Sequence, residues 1–145
     1  MAKVLREDAL HPDYPLPDVG HPVTRPFWQA CREQRLGLQR NRQTGEWYWP
    51  PMPGRFKGGV LEWTETSGRG RVHSWVVGYE PFLPAFSHLL PHIMVVVALE
   101  EGPRLVGHMI GIKPEAMRFE MPIRIAWKIL NEQVTLPVWE PEEPA

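Results

Sequence analysis

Residues 93–110 read IMVVVALEEGPRLVGHMI, and this stretch decides the fold. Two runs of strand length, 93–99 and 104–110, flank Glu101-Gly102-Pro103. A chain reversal there predicts a tight antiparallel hairpin. The first run is apolar at every position, yet a strand of a small barrel has only one interior-facing side. Its second face therefore needs a cover, either an N-terminal helix or another protein.

Working outward, residues 123–130 alternate Ile123, Ile125, Trp127 and Ile129 with Arg124, Ala126 and Lys128. That is a period-two strand with one buried face. Upstream, 61–66 and 72–79 carry strand composition across Ser67-Gly68-Arg69-Gly70, and a proline-bearing loop spans 80–91. Downstream, Asn131-Glu132 turns the chain into 133–138. Six short strands with one long central loop predict a mainly β domain, an OB-fold-like Greek-key barrel. Periodicity admits an SH3-like barrel or a small sandwich as well.

Ahead of the barrel, Thr24 offers an N-cap with Pro26 just inside, and Phe27, Ala30 and Cys31 share one face. Gly37 is the expected stop of a helix of about three turns. Residues 38–59 are irregular, with short strands at 38–41 and 46–49 about the Gln43-Thr44-Gly45 turn, and with Pro50, Pro51 and Pro53 beyond. The expected organisation is an extended arm (1–23), a helix (24–37), a small ribbon (38–59), the barrel (60–139) and a fraying acidic tail (140–145). The arm is read as disordered or laid across a partner.

Sixteen Lys and Arg against seventeen Asp and Glu leave a net charge of -1, so no global field recruits nucleic acid. One cysteine excludes an intramolecular disulfide. The opening residues lack the apolar stretch of a secretory signal. No apolar run approaches the roughly 20 residues that span a bilayer, and a cytoplasmic setting is expected. Seventeen prolines and seven tryptophans in 145 residues suit a module with many turns that docks onto something.

The search for chemistry is mostly negative. Of six histidines, only His88 and His92 have metal-ligand spacing, and the flanking Pro84 and Pro91 argue for two exposed loop residues. His73 and His108 are expected on neighbouring strands as structural histidines. Cys31 reads as an inert packed thiol. Glu100 and Glu101 are adjacent and point to opposite faces, and no glycine-rich phosphate loop follows the spacing that such loops need. Arg32, Arg35, Arg40 and Arg42 form a local basic cluster, a candidate for CoA phosphates or for acidic residues of a partner. Trp28, Trp47, Trp49 and Trp139 are interface candidates.

Phe27-Trp28 running into Leu36, Leu38, Gln39 and Arg40 is followed by Pro50-Pro51, Glu62-Trp63 and Ser67-Gly68-Arg69-Gly70. Then come residues 95–99, Glu100-Glu101-Gly102-Pro103-Arg104-Leu105 and Gly107. In order and spacing, over about residues 24–139, this resembles the zinc-ribbon OB-fold proteins that accompany thiolases and other acyl-CoA enzymes. The resemblance implies a non-catalytic accessory subunit. Its partner would be a thiolase-like or lipid-transfer-protein-type aldolase, or an acyltransferase or condensing enzyme, in a two-plus-two assembly that handles a CoA thioester. A single-stranded nucleic-acid binder is the alternative for an OB-fold, although barrel strands 93–99 and 123–130 offer little basic charge.

Family members place a C-x-x-C-G before the double proline and a second C-x-x-C after it, which together hold a structural zinc. The corresponding positions here are Asn41 and Thr44, then Arg55 and Gly58. The resemblance thus implies a degenerate, rubredoxin-like ribbon without metal or other cofactor. An apolar cluster of Trp47, Tyr48, Trp49 and Phe56 is expected to stabilise it instead.

Overall fold

The computed structural model describes residues 2–53, the backbone of 55–56, and 59–143. In chain order the elements are β1 (Val4–Arg6), α1 (Arg25–Arg32), β2 (Gly37–Asn41), β3 (Trp47–Tyr48), β4 (Arg55–Phe56) and β5 (Gly59–Glu65). The barrel strands follow as β6 (Arg69–Gly78), β7 (His92–Leu99), β8 (Arg104–Met109), β9 (Pro122–Ile129) and β10 (Thr135–Pro141). Short 3-10 turns lie at Pro84–Leu89 and Pro114–Ala116.

The predicted hairpin is β7 and β8, with Val97 opposite Leu105 and Ile93 opposite Met109. Strand order β6-β7-β8-β10-β9 closes back onto β6 through Gly70 opposite Ile123. All these pairings are antiparallel except β8 with β10, where Trp139 lies beside Met109. A closed five-stranded barrel with that one parallel pairing is an OB-fold, which resolves the choice among small β architectures. Its interior holds Val72, Ile93, Val95, Val97, Ile123, Ile125 and Trp127. At Gly70 an added Cβ would lie 2.6 Å from the Ala98 carbonyl oxygen, so only glycine lets these strands approach there.

Several expectations are corrected. The arm is not free: β1 adds in parallel to β9, with Val4 opposite Trp127 and Arg6 opposite Ile129. It takes the part of the β9 edge beyond the β6 pairing, which ends at Arg124. Ala126 and Lys128 are buried as well as Ile125 and Trp127, so this part of β9 is buried on both faces where one was expected. The helix is shorter than predicted. Gln34 adopts φ 60 and Arg35 N donates to the Ala30 carbonyl at 2.9 Å, a left-handed cap three positions before the glycine expected to supply it. Gly37 instead opens β2, which pairs with β3 and β5, so the ribbon sheet runs on to Glu65. Phe27, Ala30 and Cys31 are buried as their spacing required. At the other end β10 continues to Pro141, with Glu140 buried and bonded to Arg124 at 3.0 Å. The acidic tail therefore begins as barrel strand.

Candidate functional site

Strand alternation sorts β7 into inward Ile93, Val95, Val97 and Leu99, which are buried, and outward His92, Met94, Val96 and Ala98, which are half-buried. The outward row continues sideways. Met94 faces Val76 on β6 and His108 on β8, and Val96 faces Val106. Val76 and Val106 are 67% and 66% exposed. The all-apolar run thus leaves an apolar outer sheet face that its own chain covers only in part.

What covers it comes from two directions. From one side, α1 and the ribbon lean over β8 and β10, leaving a groove of about 530 Å³ lined by Phe27, Trp28, Trp49, Val106, His108 and Leu136. Its wall is a ring cluster: Phe27 lies 5.0 Å from both Trp28 and Trp49. From the other side, loop 80–91 folds against β6 and β7 and bounds a second cavity of about 660 Å³ with Val76, Tyr79, Phe82 and Met94. Phe86 and His92 stand between the two, lining both. Phe82 is 97% exposed at the loop tip. Tyr14 of the arm packs edge-on against Phe86 at 5.2 Å.

The polar groups gather at the junction. His92 and His108 meet ring edge to ring face at 4.4 Å, because position 92 lies diagonal to position 108 across the hairpin register. Burial first, then the neighbouring His92, Lys128 and His88, push His108 down to about 4. Burial and Lys128 lower His92. Both rings are neutral at pH 7, so the groove floor is uncharged. Beside them Lys128 Nζ lies 3.1 Å and His88 Nε2 3.4 Å from the Glu7 carboxylate. Burial works to raise Glu7, but these two partners outweigh it and hold the carboxyl below its ordinary range. Burial and the Glu7 charge raise the Tyr14 phenol.

Several site expectations are rearranged. His92 is not a loop residue but opens β7, and His88 sits in a 3-10 turn tied to Glu7. His73 and His108 are on β6 and β8, which flank β7 rather than each other; the histidine that meets His108 is His92. Trp28 and Trp49 line the groove as half-buried rings, and Trp47 stacks under the Arg40 guanidinium at 5.1 Å. Trp139 is corrected: it is 1% exposed in the core beneath the groove. The four arginines do not converge. Arg35 pairs with Glu33, Arg42 with Glu62, and Arg40 donates to the Gly45 carbonyl at 3.1 Å, while Arg32 is exposed. Glu7, Tyr14 and Lys128 escaped sequence reasoning, since their meeting depends on where the arm pairs. The His92–His108 contact was available from the hairpin turn, once its register is counted back from Gly102.

Among the described residues no group of three or more His, Cys, Asp or Glu side chains could hold a metal ion. Cys31 is fully buried and its thiol is pushed up to about 12 by that burial, far from thiolate chemistry. No helix of the described residues is long and apolar enough to cross a membrane.

The barrel matches the family described as ChsH2, C-terminal OB-fold domain, over residues 63–128. The probable enoyl-CoA hydratase alpha subunit of Thermomonospora curvata is 35% identical over 121 residues, covering 81% of this chain and 37% of that protein. The 3-oxo-4,17-pregnadiene-20-carboxyl-CoA hydratase alpha subunit of Mycobacterium tuberculosis is 32% identical over 138 residues, covering 94% of this chain and 43% of that protein. The chain thus spans about two fifths of the length of these curated relatives. Among solved structures, a chain of the Ltp2-ChsH2(DUF35) aldolase is 30% identical with a TM-score of 0.77, over 90% of this chain and 100% of that one. An OB-fold that superposes along the whole of a ChsH2(DUF35) chain at this identity belongs to the ChsH2 OB-fold (DUF35) family.

Proposed function

We propose that this chain is a non-catalytic accessory subunit that binds and supports a thiolase-like acyl-CoA enzyme. The partner would be an aldolase acting on a steroid-type CoA thioester, or an acyl-transferring or condensing relative, in a two-plus-two assembly. The observation that carries the reading is the partly covered apolar face on β6, β7 and β8, in a chain similar end to end to the ChsH2(DUF35) chain of an aldolase. An exposed apolar patch with aromatic anchors at its rim is what a protein interface needs. The neutral His108 of the groove and the buried, unreactive Cys31 thiol support placing the chemistry in the partner.

The mechanism that follows is one of support. Docking would bury Val76, Val106 and the Phe82 loop tip, and would set the aromatic groove beside the partner's acyl-CoA site. There it would exclude water from the apolar part of the substrate. Co-expression with a thiolase-like protein tests this. The expected result is a stable equimolar complex whose CoA-thioester cleavage or transfer activity neither subunit shows alone. A chain that stays monodisperse beside a fully active partner would overturn it.

A further inference from the structure

The fold family implies a structural zinc in the ribbon, and the residues present do not fit one. Position 41 is an asparagine, 2% exposed. Its Oδ1 accepts from Gln43 N at 2.9 Å and from Thr44 N at 3.1 Å. An amide oxygen has two lone pairs, and both are taken. The Thr44 hydroxyl accepts from Glu46 N at 3.2 Å, and a neutral hydroxyl does not replace the thiolate, imidazole or carboxylate that zinc takes. Of the other two positions, Gly58 lies outside the described residues and has no side chain to donate. Arg55, whose side chain is likewise not described, is a cation that cannot lose its proton to ligate.

The same residues account for what a metal does in such a module, which is to shape a turn and to join two halves of a chain. Asn41 shapes the turn: its N–H donates to Glu46 O at 2.7 Å and its carbonyl accepts from Gly45 N at 2.8 Å, with Gly45 at φ 78. Its amide also lies against Gly59, where an added Cβ would be 2.4 Å from Asn41 Nδ2. Gln39, 4% exposed, makes the link across the ribbon. Its Nε2 donates to Met52 O at 2.7 Å while Met52 N donates to its Oε1 at 2.8 Å. Of the aromatic cluster expected from sequence, Trp47, Tyr48 and Trp49 are half-buried, and the Phe56 side chain lies outside the described residues.

We propose that the ribbon is a metal-independent module in which the buried carboxamides of Asn41 and Gln39 take over the turn-shaping and cross-linking roles of a bound metal. The proposal stands apart from the accessory-subunit reading, because it concerns the free chain. The test is elemental analysis of the purified chain, thermal melts with chelator and with added zinc, and amide hydrogen exchange by NMR. The expected results are zinc far below one per chain, an unmoved Tm, and slow exchange at Gln43, Thr44 and Met52 in chelated protein. Asn41→Ala should speed exchange at Gln43 and Thr44 by about tenfold or more and leave Val95 and Val97 protected. Gln39→Ala should do the same at Met52. Stoichiometric zinc, a chelator-induced fall in Tm, or wild-type Gln43 and Thr44 amides exchanging at the rate of an unstructured chain would each overturn the proposal. These wild-type measurements decide it even where a variant does not accumulate.

Discussion

Replacing both Val76 and Val106 with aspartate tests the docking face directly. The two side chains stand on β6 and β8, either side of Met94 and Val96, roughly 10 Å apart at the usual strand spacing. Each keeps about two thirds of its surface in water in the free chain. Full burial of a valine is worth about 1.5–3 kcal/mol, so about 1–2 kcal/mol per residue remains to be gained on docking. Losing both removes about 2–4 kcal/mol, or about 30- to 700-fold in Kd, before the cost of burying two unpaired carboxylates is added. Because both positions are exposed, the free chain's Tm should move by little. Titration calorimetry against the thiolase-like partner, with melts of the free chain as control, gives both readings. A Kd within about threefold of wild type would refute the placement of the interface on this face.

Other outcomes follow from the same geometry. Gly107→Ala should destabilise the barrel by about 1–3 kcal/mol, read as a lower denaturant midpoint, because its Cβ would lie 2.7 Å from Trp139 Cδ1. His108 has a pKa near 4 folded against 6.5 in the unfolded chain, so the unfolded state takes up the proton first as pH falls. Its contribution should be whole above pH 6.5 and decline from there toward pH 4, and His108→Gln should remove that slope in denaturant melts. The Glu7 ion pairs behave differently. The folded pKa is below 4.5, so their stabilisation holds above that pH and is lost only under more acid conditions, and Glu7→Gln should flatten the lower window alone. Cys31 should stay unreactive toward a disulfide reagent in native buffer and label fully once denaturant unfolds the chain.

Sequence legibility followed the range of the forces involved. The β7–β8 hairpin and the apolar face of α1 rest on local periodicity and turn residues, and both appear as expected; the β9 alternation predicted one buried face, but Ala126 and Lys128 are buried too. The end of α1 was misjudged because a Gln at φ 60 closed the helix, and left-handed Gln is rarer than the glycine that was waiting at position 37. The arm was misjudged because parallel pairing has no hairpin turn to announce it, so nothing local marks Val4 as a neighbour of Trp127. The groove's lining was visible only as a list of tryptophans. One of these, Trp139, differs from Trp28 in nothing but the strand that carries it inside.

By itself, then, the chain's order of residues determined a mainly β domain behind a short helix, while strand closure chose the OB-fold among the small β architectures it admits. It also determined an apolar surplus on 93–99 and the absence of four thiolates at positions 41, 44, 55 and 58. Periodicity and residue chemistry suffice for such statements, because each concerns what a position can do alone or with near neighbours. Only the tertiary structure decided which part of the surplus stays exposed and that Glu7 reaches Lys128. These depend on barrel closure and strand register, which bring residues tens of positions apart within a few ångströms and which no local pattern encodes.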